Sequence, residues 1–306
     1  MESLADVRER YDDAVRKFAG KVKADVNVLA VIVEGSVAYD TVWHKSDIDI
    51  TVVVRDQNLT TYEYSVEENG IILNAAIMTR TSFMRSINRA NGASFMNSIY
   101  ALSKIVYSTD ETLQELIDEA KTIGSSDIGL YLLWQCSDLV FFLQKIEKWL
   151  TVKNDPMYAA LYILKAAECV AAIEMAAAGE PPTREALMRA EQLNPEIIDA
   201  VYRCPMKNEL SSENVRQTLS VMYAYLDKHL AAAAAPVLEY MQDGEPRTAT
   251  MLVKQFKTGS PHILYKLMEY MVEKGFFFKT TQTIRITPKG RPVVDEIAYT
   301  NASLTK

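Results

Sequence analysis

Two short signals ten residues apart constrain this chain more than anything else in it. Val31-Ile32-Val33-Glu34-Gly35-Ser36 reads as a buried strand ending in a Gly-Ser turn, and Asp47-Ile48-Asp49-Ile50 opens a second apolar run. Side chains alternate along a strand, so Asp47 and Asp49 share one face while Ile48 and Ile50 enter a core. Gly35 lets the backbone approach a ligand closely. Where such a turn opens a helix, free N–H groups and the Ser36 hydroxyl can take phosphate oxygens. Two parallel carboxylates beside a phosphate cradle suit Mg²⁺, which would bridge triphosphate oxygens and support in-line displacement at phosphorus. Alone, a Gly-Ser is usually a turn and an Asp-x-Asp usually a solvated strand edge. Their order and spacing together carry the functional reading.

Around this pair the first segment mixes helix and strand. Residues 4–22 carry Leu4, Val7, Tyr11, Val15 and Phe18 at helical spacing. Strands are expected at 26–33, 48–54 and 70–78, the last after an Asn69-Gly70 turn, with a short one at 105–107. Helical stretches fall at 82–88, 92–103 and 109–121, where Thr109 or Asp110 supplies a cap. After Gly124-Ser125-Ser126 no convincing strand appears until residue 230. Stretches 129–150 and 157–178 are apolar almost all round, as central helices of a bundle are. Gly179-Glu180-Pro181-Pro182 ends the second, Thr183 caps a short third, and 211–230 is the last. The alanines at 231–235, before Pro236, read either as a linker or as more helix.

Composition narrows the functional classes. The chain has 306 residues, 49% of them apolar, too many for one ordinary core and too apolar for disorder. No apolar run approaches the ~20 residues of a membrane span, and residues 1–20 read as a charged helix rather than a secretory leader. Cys136, Cys169 and Cys204 are odd in number and far apart, and there are three histidines. A disulfide framework or a Cys/His metal centre is not expected, so any metal would be held by oxygen. A soluble, reducing, cytoplasmic setting without membrane attachment follows. The net charge of −7 argues against coating nucleic acid with the whole surface. It is uneven, however: residues 236–306 hold ten Lys/Arg against seven Asp/Glu. A mildly basic tail on an acidic body points to a separate tail function.

With its Gly-Ser motif followed by Asp-x-Asp on the neighbouring strand, the sequence resembles the nucleotidyltransferase superfamily that includes DNA polymerase beta. The helical second segment makes it similar to the aminoglycoside (kanamycin and lincosamide) nucleotidyltransferases. The resemblance implies an α/β (α+β) nucleotidyltransferase domain with a small mixed sheet over residues 1–124, then an all-α, acceptor-binding helical bundle over 125–231. It further implies that Gly35 and Ser36 bind nucleotide phosphate, with Lys45 and Ser46 flanking, and that Asp47 and Asp49 hold Mg²⁺. The substrates would be a nucleoside triphosphate, ATP above others, and an acceptor that the acidic body suits when small and cationic. One departure matters. The family usually carries a third carboxylate on a later strand, and residues 70–78 offer only Asn74, a neutral oxygen that can ligate weakly but accept no proton. The base then comes from a polar residue on the apolar helices, Glu168 first, with Asp138 and Lys165 also considered, or catalysis is impaired. Lys165 and Glu168 could equally satisfy each other as an ion pair three residues apart.

Residues 232–306 resemble a winged helix-turn-helix. Helices are expected at 237–241, 248–256 and from Ser260-Pro261 to Gly275, followed by a hairpin of 276–279 and 283–287. Ser260, His262, Tyr265 and Lys266 would face a DNA groove, and Lys279, Arg285 and Lys289 would meet phosphates from the wing. Such modules also serve protein docking and dimerisation, so a homodimer is a further expectation. The leading reading is a Mg²⁺-dependent transfer of AMP from ATP to an acceptor. The alternative is a catalytically weak nucleotide-binding regulator acting on DNA through the winged helix.

Overall fold

The apolar runs flanking the Gly-Ser turn become adjacent strands. The computed structural model describes residues 4–38, 42–90, 92, 94–207, 210–258, 261–287 and 289–304. In it β1 (Val28–Glu34) and β2 (Ile48–Val54) pair antiparallel, with Glu34 opposite Asp49. β3 (Glu63–Glu68) and β4 (Ile71–Thr79) form a hairpin, and β4 lies parallel to β2 with Asn74 opposite Asp49. β5 (Lys104–Ser108) closes the other edge, giving the mixed order β3-β4-β2-β1-β5. β3 is absent from the sequence expectations. Its Glu-Tyr-Ser-Val-Glu-Glu offers one apolar side chain to the core, a half-buried Val66, too little for an alternating pattern, and its pairing with β4 makes it a strand.

Helix α1 (Leu4–Val22) covers one face of this sheet, packing Val7, Tyr11, Ala14 and Phe18 over Ile48, Ile50, Val52 and Leu73. The other face lies under α3 (Arg80–Arg89), α4 (Phe95–Ala101) and α5 (Thr112–Ala120), which follow a single turn of helix, α2 (Gly35–Ala38). There Ala30, Ile32 and Val53 meet Phe83, Ile87, Tyr100, Leu113 and Ile117. This two-sided burial sets the register of the aspartates. Sliding β2 by one residue would drive Asp49 under α1 and expose Ile48 and Ile50, at a cost of roughly 3–6 kcal/mol in lost burial alone. These elements make up the unit Met1–Ile123.

The second unit, Gly124–Lys306, is built on three long helices. α6 (Ser125–Thr151) packs against α7 (Pro156–Ala177), which Asp155 caps, with Pro156 at the first helical position. α8 (Ala186–Leu193), α9 (Pro195–Ile198) and α10 (Cys204–Lys207) lead into α11 (Ser212–Tyr240), capped by Ser211 and packed along α6. Alanine is the best helix former, and the 231–235 run is helix. The segment expected as a separate helix at 237–241 is the end of the same α11, which runs through the expected 231/232 boundary. Pro236 inside it is accommodated by Gly129 of α6, where an added Cβ would stand 3.2 Å from the proline ring.

The tail continues with β6 (Arg247–Thr248), α12 (Ala249–Phe256), α13 (Pro261–Glu273), β7 (Phe277–Arg285) and β8 (Val293–Asn301), the strands ordered β6-β8-β7. The expected hairpin is corrected. Residues 277–279 and 283–285 belong to one strand, β7, whose partner is β8. Thr280, Thr281 and Gln282, read from the sequence as a bend, are instead paired with 296–298, as β-branched residues favour. The reversal comes later, between Arg285 and Val293. Pro288 within it lies outside the described residues.

Candidate active site

A row of polar side chains crosses the first unit's sheet at one level. Glu34 on β1, Asp49 on β2, Asn74 on β4 and Ser65 on β3 are register partners in turn, so they project from the same face. Val53, on the same face, is buried beneath α3 and α5, whereas Asp49 is half-buried and Asp47 exposed. The helices therefore cover one end of this face and leave the aspartate end open.

Gly35 follows β1 with φ +66, a conformation that side-chain-bearing residues rarely adopt. A Cβ there would stand 2.7 Å from Asp49 Oδ2. Only glycine lets the turn and the carboxylate sit this close. Ser36 lies one residue on, in α2 and half-buried. Asn74 Nδ2 donates to Asp47 Oδ2 at 2.7 Å, and its Oδ1 accepts from the Ser65 hydroxyl at 3.3 Å. Asn74 thus turns its nitrogen, not the oxygen expected of a metal ligand, toward the aspartates.

Ser46 is engaged in building the loop. Its Oγ accepts from the Trp43 N–H at 3.1 Å, and its carbonyl accepts from the Tyr11 hydroxyl at 2.5 Å. Tyr11, 2% exposed in the α1 core, anchors the residue before Asp47. Sequence periodicity marks Tyr11 as core but not as the anchor of this loop. Lys45 is exposed at the rim, 5.9 Å from the Trp43 ring centroid.

Glu34 is more deeply placed than its position beside the turn suggests. Thr51 Oγ1 donates to its Oε1 at 2.9 Å. Burial, reinforced by the Asp49 charge and opposed by the Thr51 hydrogen bond, pushes its carboxyl up to about 7. Glu34 and Thr51 together bring a third carboxyl into the row.

The donor set fits a Mg²⁺ ion held partly by substrate. Among the described residues no cluster of three or more His, Cys, Asp or Glu could cage a metal. Neither Asp47 nor Asp49 forms an ion pair among them. Mg²⁺ is commonly bound by one or two carboxylates together with phosphates and water. Two hard oxygens, open to solvent and next to a glycine turn, match that pattern.

The remaining predicted residues lie in the second unit. Glu168 and Lys165 are exposed on α7 rather than sunk among its apolar residues, and no ion pair joins them among the described residues. Asp138 on α6 is half-buried, and desolvation raises its pKa. His262 is exposed on α13, while Tyr265 and Lys266 are half-buried. Lys266 Nζ donates to Gln144 of α6, and Lys279 pairs with Glu269 at 2.7 Å, so both ammonium groups are engaged within the unit. Arg285 and Lys289 are exposed at the β7–β8 reversal, and Ser260 lies outside the described residues.

A family model described as polymerase beta, nucleotidyltransferase, matches residues 17–112, which contain the whole polar row. Among solved structures, a nucleotidyltransferase-like protein from Exiguobacterium sibiricum 255-15 is similar at a TM-score of 0.64 and 16% identity. The match covers 95% of this chain and 99% of that one, a likeness of fold. The spectinomycin adenyltransferase from Enterococcus faecialis, solved with ATP and spectinomycin, aligns with 72% of this chain and 97% of its own at 14% identity. Its TM-score of 0.31 is too low to bear on this protein. No curated protein matches by sequence.

Proposed function

We propose, from the premise that residues 17–112 form a domain of the polymerase beta nucleotidyltransferase superfamily, that the protein transfers AMP from ATP to an acceptor in a Mg²⁺-dependent reaction releasing pyrophosphate. The observation that carries this reading is the approach of Gly35 to Asp49. A phosphate received by the turn would lie against a carboxylate that has no ion-pair partner among the described residues.

In this reading Gly35 and Ser36 receive the phosphates through backbone N–H groups and a hydroxyl, and Lys45 adds positive charge at the rim. Asp47 and Asp49 would hold Mg²⁺, which when bound neutralises phosphate charge and aligns the triphosphate for in-line attack. Asn74 keeps Asp47 turned to the site by donating to it. An amide takes no proton, so the attacking group's proton goes elsewhere. We assign that role to Glu168, whose exposed carboxylate has no ion-pair partner among the described residues. Glu34, behind Asp49, adjusts the charge of the row.

Labelled ATP, Mg²⁺ and a panel of small cationic acceptors should yield pyrophosphate with the wild type, and Asp47→Ala or Asp49→Ala should abolish it. Glu168→Gln should lower turnover while leaving ATP binding unchanged. The regulator alternative has thinner support, because Lys266 and Lys279 are already engaged, which leaves Arg285 and Lys289, both exposed and unpaired among the described residues, for phosphates. It prevails if wild type and variants are equally silent and a promoter fragment binds with a steep salt dependence.

A further inference from the structure

In the second unit an open-sided cleft of about 200 Å³ lies between α6 and the α12–α13 turn, smaller than the usual drug-sized pocket and suited to a small ligand. Its walls are Trp134, Ser137 and Asp138 of α6, Lys257 and Thr258 of the turn, and Ile263 of α13. The three α6 residues stand at i, i+3 and i+4 and therefore share a helical face.

The cleft is rich in acceptors that have no partner among the described residues. Thr258 is 8% exposed, and its Oγ1 is buried without a hydrogen-bond partner among the described residues. Leaving such a hydroxyl unmatched is costly, so an orphan of this kind signals a missing ligand or water. Asp138 is half-buried, and among the described residues it has no ion pair or hydrogen bond; burial raises its pKa. Ser137 is 2% exposed and spends its proton on the Leu133 carbonyl at 2.7 Å, which leaves its oxygen lone pairs free. Trp134 is held by its own Nε1, which donates to the Phe256 carbonyl at 2.8 Å, so its ring is a fixed wall. Lys257, the cation that could have answered Asp138, sits in a left-handed residue (φ 51) with its side chain exposed and unpaired among the described residues.

We propose that this cleft binds a small primary amine. The ammonium group would donate its three protons toward Asp138, Ser137 Oγ and Thr258 Oγ1, and an apolar body would lie against Trp134 and Ile263. An ammonium has three donors and no acceptor, which matches a carboxylate flanked by two oxygens, and an indole face adds attraction for a cation. The site is built wholly from residues of the second unit, and its occupancy does not depend on nucleotidyl transfer. Because one wall is the α12–α13 turn and the other is α6, an occupant would tie the tail's helix pair to the long helices.

Benzylamine is the probe, with benzyl alcohol as its uncharged isostere, each titrated calorimetrically into the full-length protein. Benzylamine should bind one to one. Benzyl alcohol and Asp138→Asn should each weaken binding about tenfold or more, the worth of one hydrogen bond to a charged group. Thr258→Val should weaken it about threefold to tenfold by the same reasoning for a neutral acceptor. Lys257→Ala, which removes a like charge from the rim, should leave binding unchanged or tighten it. Circular dichroism melts establish that each variant is folded, and the alcohol comparison needs no variant. The proposal is overturned if benzylamine gives no heat up to about 10 mM, the weak end of specific affinity. It is equally overturned if the alcohol binds as well as the amine, if Asp138→Asn binds undiminished, or if Lys257→Ala abolishes binding.

Discussion

The carboxylates of the helical unit and those of the sheet row live under opposite conditions. On the helical unit several are answered by cations: Arg189 grips both oxygens of Glu180, Arg203 both oxygens of Glu191, and Lys274 meets Asp227 at 2.7 Å. Even Glu174, its side chain 13% exposed, receives Asn194 Nδ2 at 3.2 Å and has His229 Nε2 3.8 Å away. In the row, Asp47 is answered by an amide and Glu34 by a hydroxyl. Like charges gathered without a counter-ion destabilise a fold unless something else supplies the positive charge. The contrast teaches that these paired carboxylates of the helical unit are already neutralised, whereas those of the row have no cation beside them among the described residues.

Substitutions can break or sharpen that contrast. The largest effect is expected at Asp49→Ala, which should cut the rate of pyrophosphate release about 10³-fold or more, equivalent to about 4 kcal/mol, while leaving the melting temperature within a few degrees. Next is Glu34→Gln, read as stability against pH in chelator. The folded pKa of Glu34, about 7, lies above its ordinary 4.5. Between those values the folded state keeps a proton that the unfolded state has lost. Stability therefore falls as pH rises from about 4.5 to 7 and is level beyond, a change of about 3 kcal/mol. Urea melts at pH 5 and pH 8 should show that loss in the wild type and its absence in the variant; equal losses would remove Glu34 from the row's electrostatics.

Asn74→Asp is smaller and changes sign with metal. A third carboxylate beside Asp47 should destabilise the metal-free protein by about 1–2 kcal/mol through like-charge repulsion. With Mg²⁺ the loss should reverse, so the melting shift between chelator and Mg²⁺ should exceed that of the wild type. Lys274→Ala, at one of the paired carboxylates of the helical unit, should have the smallest effect on stability, since a surface pair gains little from water-screened attraction. A larger cost in chemical denaturation would mean that the helical unit depends on its pairs more than the row does on its gaps.

Much of the row could be read from the sequence because its information is local. Alternation puts Asp47 and Asp49 on one face, and Gly35 before a helical turn announces a close approach; both follow from neighbouring residues. Asn74 could be flagged because its strand is apolar around it. The orientation of its amide could not, since that depends on Ser65 across the hairpin, in a strand without an apolar face to betray it. Tyr11 illustrates the same limit: periodicity marks it as core, but its hydroxyl reaches a carbonyl 35 residues away. In the tail, Thr280-Thr281-Gln282 looks like a bend only when β8 is out of view, because its strand character comes from pairing rather than from hydrophobic pattern. Glu168 and Lys165 sit in an apolar sequence yet on an exposed helix side, because a small alanine-rich helix can read as apolar all round while burying only part of its circumference.

Helix α11 carries one more consequence. Its 29 residues make a beam about 43 Å long, and it crosses residue 231 without a joint. Past that point the proline ring packs closely over Gly129, where an added Cβ would stand 3.2 Å from it. The tail is therefore no detachable cassette. A chain trimmed at 231 would saw through the beam mid-span, remove the proline from over Gly129 and strip the cover from the flank of α6 where α13 rests. Anyone shortening or grafting this protein should expect the rest of the second unit to register the cut.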